Sequence, residues 1–131
     1  MGHERILIID DDPDITEAMK VVLENQGYAT DSAKDGSVGM ERIKATKPDL
    51  IILDVMMNSM SEGFILSREL KKDPKYKHIP VLMVTSVKEK TGIDFETAAG
   101  DETWLPVEGY LNKPVKPEVL LDKVRTLLHK Q

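Results

Sequence analysis

The sequence predicts an α/β domain with a doubly wound parallel sheet, on the evidence of two patterns. Short aliphatic runs alternate with longer segments of helical periodicity along the chain. Three of these runs, at residues 5–10, 49–54 and 79–86, are nearly continuous in Val, Ile, Leu and Met. Because an uninterrupted apolar strand must be covered on both faces, they indicate a parallel sheet between two layers of helices.

Five strands and four helices are predicted in alternation, apart from one segment. The first helix is expected over 13–27, with Asp12 as the cap at its start and Gly27 as the stop at its end. The strands that complete the sheet are expected at 28–33 and 109–112. The other helices are expected from their apolar periodicity at residues 36–46, 62–72 and 117–130.

The segment at residues 87–108 departs from this alternation. It contains Gly92, Gly100 and Pro106, and its apolar residues keep no steady helical period. We expect an irregular loop there, in place of a helix between the fourth and fifth strands.

Composition excludes several classes of function. A chain of 131 residues suits one domain, expected over 1–131. The net charge of −5, without a dense Lys/Arg cluster, argues against a nucleic-acid partner. The absence of cysteine excludes disulfides and thiol catalysis. Because the chain has neither a membrane-length apolar stretch nor a signal-peptide core, we expect a cytoplasmic protein without membrane contact.

Polar residues stand at the carboxyl ends of the predicted strands, where ligands bind in open α/β sheets. Taken in chain order, they are Asp10, Asp11, Asp12, Asp54, Thr85, Ser86 and Lys113. Asp12 is better explained as a helix cap, because it directly precedes Pro13. Two carboxylates about 4 Å apart repel by roughly 4 kcal/mol at an effective dielectric near 20, so the remaining aspartates need a cation or a lysine to offset them. Carboxylate and carbonyl oxygens suit Mg²⁺.

A metal beside a carboxylate nucleophile, a hydroxyl and a lysine is equipped for phosphoryl transfer. The sequence also resembles a known family. The stretches ILIIDDDPDI, PDLIILDVMM, VLMVTS and GYLNKPVKPEVL are similar, in order and spacing, to the receiver domain of two-component response regulators. The resemblance covers essentially the whole chain and implies a flavodoxin-like sheet of strand order 2-1-3-4-5.

The resemblance also implies a role for each matching residue. Asp54 would accept the phosphoryl group from the phosphohistidine of a histidine kinase or of a histidine phosphotransfer domain. The expected Mg²⁺ ligands are Asp10, Asp11, Asp54 and the main-chain carbonyl of Met56. By the same resemblance, the Thr85 hydroxyl would donate to one phosphoryl oxygen and Lys113 would pair with another. Tyr110 would occupy the position of the aromatic residue that responds to phosphorylation.

The sequence departs from the family pattern beside the expected phosphoacceptor. Asn58 stands where the family usually has a proline, and Gly63 is displaced by one residue, so the loop is expected to be one residue longer. The segment 91–109 carries five acidic residues, no Lys or Arg, Phe95 and the only tryptophan, Trp104. We expect it either to dock a downstream protein partner or to cover the sheet.

Two other functions share this chemistry. A Mg²⁺-dependent phosphohydrolase with an aspartyl nucleophile would need a second acid two residues after Asp54, where this chain has Met56. A pseudo-receiver scaffold would lack an acidic residue or the lysine, and all of these are present. The sequence therefore favours a signalling switch over an enzyme that turns over a separate substrate.

Overall fold

The structure is a computed structural model that describes residues 4–54, 60–85, 108–112 and 115–129. Its five strands form one parallel sheet of order β2-β1-β3-β4-β5. They are β1 (Arg5–Ile9), β2 (Ala29–Ala33), β3 (Leu50–Leu53), β4 (Val81–Thr85) and β5 (Gly109–Asn112). The predicted doubly wound sheet and its strand order are confirmed.

Four helices lie within the described residues, and their labels number only these. They are α1 (Pro13–Glu24), α2 (Gly36–Thr46), α3 (Met60–Lys72) and α4 (Pro117–His129). No helix among the described residues is long and apolar enough to cross a membrane. The irregular loop expected at 87–108 lies outside the described residues, except for its last residue.

The core is divided by the sheet into two layers, because side chains alternate between its faces. Leu7 and Ile9 of β1 pack on one side with residues of α2 and α3. Ile6 and Ile8 pack on the other side with residues of α1 and α4. These four residues of β1 are fully buried, as the continuous apolar runs predicted.

The predicted boundaries of several elements were wrong by one to three residues. α1 ends at Glu24 rather than at Gly27, because the amides of Gln26 and Gly27 bond to carbonyls three residues back and tighten the chain into a turn. Gly27 then takes a φ of 91°, which favours glycine. α3 begins at Met60, two residues before the predicted start.

Candidate metal and phosphoryl site

The carboxylates of Asp10, Asp11 and Asp54 converge at the carboxyl edge of the sheet. One oxygen from each lies within 4.8 Å of the others. Asp10 and Asp54 are each only 5% exposed, whereas Asp11 is exposed. Three of the residues singled out from the sequence therefore form one cluster.

The cluster follows from the register of the two central strands. Ile9 at the end of β1 pairs with Leu53 at the end of β3, so the next residue of each strand reaches the same edge. The amide of Asp54 donates to the carbonyl of Ile9 at 2.9 Å. The amide of Asp10 donates to the carbonyl of Ala33 at 3.0 Å, which ties the same point to β2. Main-chain hydrogen bonds thus hold Asp10 and Asp54 at this edge of the sheet.

The consecutive residues Asp10, Asp11 and Asp12 have different structural roles. Asp12 caps α1, because its Oδ1 accepts from the amides of Asp14 at 3.0 Å and Ile15 at 3.3 Å. Oδ1 of Asp10 accepts from the amide of Asp12 at 2.9 Å, which closes the turn between strand and helix. The predicted capping role of Asp12 is confirmed, and Asp12 is not part of the carboxylate cluster.

The donor set fits a hard divalent cation. Three carboxylates within 4.8 Å repel one another, and the low exposure of Asp10 and Asp54 weakens the screening by water. Carboxylate oxygens are the ligands that Mg²⁺ prefers, and partial exposure at Asp11 suits an ion that keeps several waters. The residues present are therefore suited to hold Mg²⁺.

The other predicted site residues are described in part or not at all. Thr85 ends β4 and pairs with Asn112, so its main chain lies at the same edge of the sheet as the cluster. Tyr110 lies in β5 opposite Met83. The side chains of Thr85 and Tyr110, like Met56, Lys113 and the expected loop change at Asn58, lie outside what the structure describes.

Two cavities lie at opposite ends of the described part of the molecule. One of about 240 Å³ borders the cluster and is lined by Asp10, Asp11, Thr16 and Lys20, among others. A larger one of about 390 Å³ lies at the amino ends of β3 and β4, between residues 47–49 and 75–79. The larger cavity thus lies away from the carboxylates, at the end of a parallel sheet where ligands rarely bind.

The fold and the carboxylate cluster together define a class of protein. A five-stranded doubly wound sheet with buried acidic residues at the ends of the adjacent strands β1 and β3 is the arrangement that the resemblance to receiver domains implied. The family model of the response regulator receiver domain matches residues 6–125. The chain belongs to this family.

Individual relatives agree with this assignment. The chain is 38% identical over 129 residues to the DNA-binding dual master transcriptional regulator RpaA of Synechocystis, covering 96% of this chain and 49% of RpaA. It is 33% identical over 127 residues to protein PilH of Pseudomonas aeruginosa, covering 95% of this chain and 97% of PilH. The chain therefore spans about half the length of RpaA and nearly all of PilH.

A solved structure shows the same fold. The CheY-like response regulator receiver domain protein from Methanospirillum hungatei superposes with a TM-score of 0.79 at 29% identity, covering 98% of this chain and 95% of that one. The resemblance inferred from the sequence is confirmed.

Proposed function

We propose that this chain is a phosphoacceptor in two-component signalling and that Asp54 receives the phosphoryl group. The donor is the phosphohistidine of a histidine kinase or of a histidine phosphotransfer domain. The observation that carries the proposal is the position of Asp54, buried at the end of a central strand with the Asp10 and Asp11 carboxylates around it. Family membership supports the same assignment.

The transfer is an in-line displacement at phosphorus. A carboxylate oxygen of Asp54 attacks, the bond between phosphorus and the donor imidazole nitrogen breaks, and its electron pair stays on the imidazole. The product is an acyl phosphate on Asp54. Because only 5% of Asp54 is exposed, water has little access to its carboxylate.

The residues around Asp54 would stabilise the charge on the transferred group. Asp10, Asp11, Asp54 and the carbonyl of Met56 would hold Mg²⁺, which when bound neutralises charge on the phosphoryl oxygens. The Thr85 hydroxyl donates a hydrogen bond to one phosphoryl oxygen, and the Lys113 ammonium pairs with another. Thr85 ends β4, and Lys113 follows β5 in the sequence, which supports this division of roles.

The product stays on the protein, so the reaction acts as a switch. A phosphoryl oxygen that draws the Thr85 hydroxyl toward Asp54 changes the space open to Tyr110 in the neighbouring strand. We propose that a downstream protein reads this change. The net charge of −5 favours a protein over a nucleic acid at that step.

Acetyl phosphate and intact-mass measurement test the proposal. The protein is expected to gain one phosphoryl mass in Mg²⁺ and none in EDTA. Asp54→Asn should abolish the adduct. Asp14→Asn, which removes a carboxylate from the same acidic stretch outside the cluster, should leave it unchanged. An adduct that persists in Asp54→Asn, or that forms equally well in EDTA, contradicts the proposal.

A further inference from the structure

The carboxylate of Glu108 takes the place of a main-chain partner where β5 joins the sheet. The amide of Glu108 donates to the carbonyl of Val81 at 3.0 Å. Its side-chain Oε1 accepts from the amide of Val81 at 2.7 Å. Both main-chain groups of the first β4 residue are therefore bonded to a single residue, directly before β5 begins at Gly109.

Lys71, near the end of α3, completes the contact. Its ammonium lies 2.8 Å from Oε2 of Glu108 and is largely shielded, with 15% of the side chain exposed. The same ammonium donates to the carbonyls of Lys77 at 3.2 Å and Ile79 at 2.8 Å. One lysine thus joins α3, the chain that leads into β4, and the residue that precedes β5.

The sequence and length of β5 specify its register only weakly. β5 has four residues, begins with glycine and pairs in the described structure with β4 alone. A slip of one residue along β4 would move it by about 3.3 Å and exchange the faces on which successive side chains lie. Leu111, which packs with the α1 and α4 layer, would then change faces.

We propose that Glu108 and Lys71 form a register lock for β5 and act as positioning residues in the phosphoryl chemistry. The lock sets how far along β4 the strand reaches, and so fixes Asn112 opposite Thr85 at the edge of the site. Asn112 is followed in sequence by Lys113. The inference rests on the proposed function for its effect on phosphorylation, but the register lock itself does not.

Three measurements on matched variants separate these parts. Glu108→Ala removes both contacts, and Glu108→Gln keeps an oxygen for the Val81 amide. Lys71→Met removes the ion pair together with the bonds from the ammonium to the carbonyls of Lys77 and Ile79. Glu69→Ala, an exposed residue of the same helix as Lys71, is the control. Amide hydrogen exchange at Val81 reports its bond to Glu108, and exchange across β5 reports the pairing of that strand with β4. The rate of phosphorylation by acetyl phosphate and the affinity for Mg²⁺ alone report the site.

For Glu108→Ala we expect exchange at Val81 and across β5 to rise by about tenfold or more while amides between β1 and β2 are unchanged. Phosphorylation should slow by about tenfold or more, because a small displacement of catalytic groups is costly. Affinity for Mg²⁺ should change by less than about twofold, since the carboxylate cluster lies on β1 and β3. Glu108→Gln should restore most of the protection from exchange and most of the phosphorylation rate. If Glu108→Ala does not fold, Lys71→Met should show the same pattern at smaller size.

Two results overturn the proposal. Faster exchange across β5 with an unchanged phosphorylation rate would make the contact purely structural. Unchanged exchange across β5 in Glu108→Ala would show that no register lock exists. If the unaltered protein accepts no phosphoryl group, the proposed function fails, and exchange across β5 still decides the lock.

Discussion

The main-chain amide of Asp54 donates to the carbonyl of Ile9 at 2.9 Å, and this bond holds residue 54 beside Asp10. Two carboxylates that are each 5% exposed thereby share one edge of the sheet, together with Asp11. Their mutual repulsion opposes folding, and a bound cation offsets it. Stability and metal binding are therefore linked at this edge.

Asp10→Asn should stabilise the metal-free protein. The substitution removes a nearly buried charge, and the amide oxygen still accepts from the Asp12 amide. We expect the free energy of unfolding in EDTA at low salt to rise by about 1 kcal/mol. Urea denaturation measures it, with Asp122→Asn, an exposed aspartate of α4, as the control. A loss of stability in EDTA would show that the carboxylates do not repel appreciably.

Added Mg²⁺ should reverse this order. At about 100 times its dissociation constant, a ligand that binds only the folded state adds about 2.7 kcal/mol to the free energy of unfolding. We expect the unaltered protein to gain this much and Asp10→Asn to lose most of the gain at the same Mg²⁺ concentration. Equal gains in both proteins would place the metal elsewhere.

Asp12→Ala should separate capping from metal binding. Loss of the two bonds to the amides of Asp14 and Ile15 should lower the free energy of unfolding by about 1 kcal/mol. Asp12→Ser should restore most of it, because serine caps helices as well. Affinity for Mg²⁺, measured by calorimetry, should fall by about tenfold or more in Asp11→Ala but little in Asp12→Ala. A comparable fall in Asp12→Ala would make Asp12 a ligand.

Gly39→Ala should destabilise the protein through Ile9. A Cβ at position 39 would lie 2.7 Å from Cδ1 of the fully buried Ile9. Overpacking costs about 1–3 kcal/mol and the better helix propensity of alanine returns about 1, so we expect a net loss of about 1 kcal/mol. In an Ile9→Val background, which lacks Cδ1, the same substitution should cost little. An equal cost in both backgrounds, measured by urea denaturation, would exclude this contact as the cause.

The proposed acyl phosphate on Asp54 should be long-lived. The family resemblance implies that the positions two after Asp54 and two after Thr85 flank the path of an attacking water, and this sequence has Met56 and Val87 there. Neither side chain orients water, so we expect a half-life of minutes or longer, on the order of 10² s or more. Met56→Asn should shorten it and the neighbouring substitution Met57→Asn should not. A half-life of seconds in the unaltered protein would contradict this reasoning.

The sheet and three members of the site were predictable from sequence for a simple reason. Continuous apolar runs specify buried parallel strands, and parallel strands bring their carboxyl ends to one edge. Asp10, Asp11 and Asp54 follow such runs directly, so their convergence depended only on strand order. Element ends were less predictable, because the end of α1 is set by turn hydrogen bonds rather than by apolar periodicity.

The contact between Glu108, Lys71 and Val81 could not be predicted in this way. It joins residues that are 27 and 37 positions apart, as their numbers show, and no short motif marks it. An acidic residue before a strand reads as an ordinary solvated charge, and a lysine near a helix C-terminus is favoured there for the helix dipole alone. The ion pair between Lys71 and Glu108 becomes visible only in the structure, where the end of α3 packs against the chain that leads into β4.

Locating the phosphoryl group chemically tests the central claim most directly. Borohydride reduces an aspartyl phosphate to homoserine, which peptide mass spectrometry assigns to a single position. After acetyl phosphate treatment in Mg²⁺, homoserine is expected at position 54 alone, and at no position when EDTA replaces Mg²⁺. Homoserine at position 10, 11 or 12, or a phosphoryl adduct that yields no homoserine, would contradict the assignment of Asp54 as the phosphoacceptor.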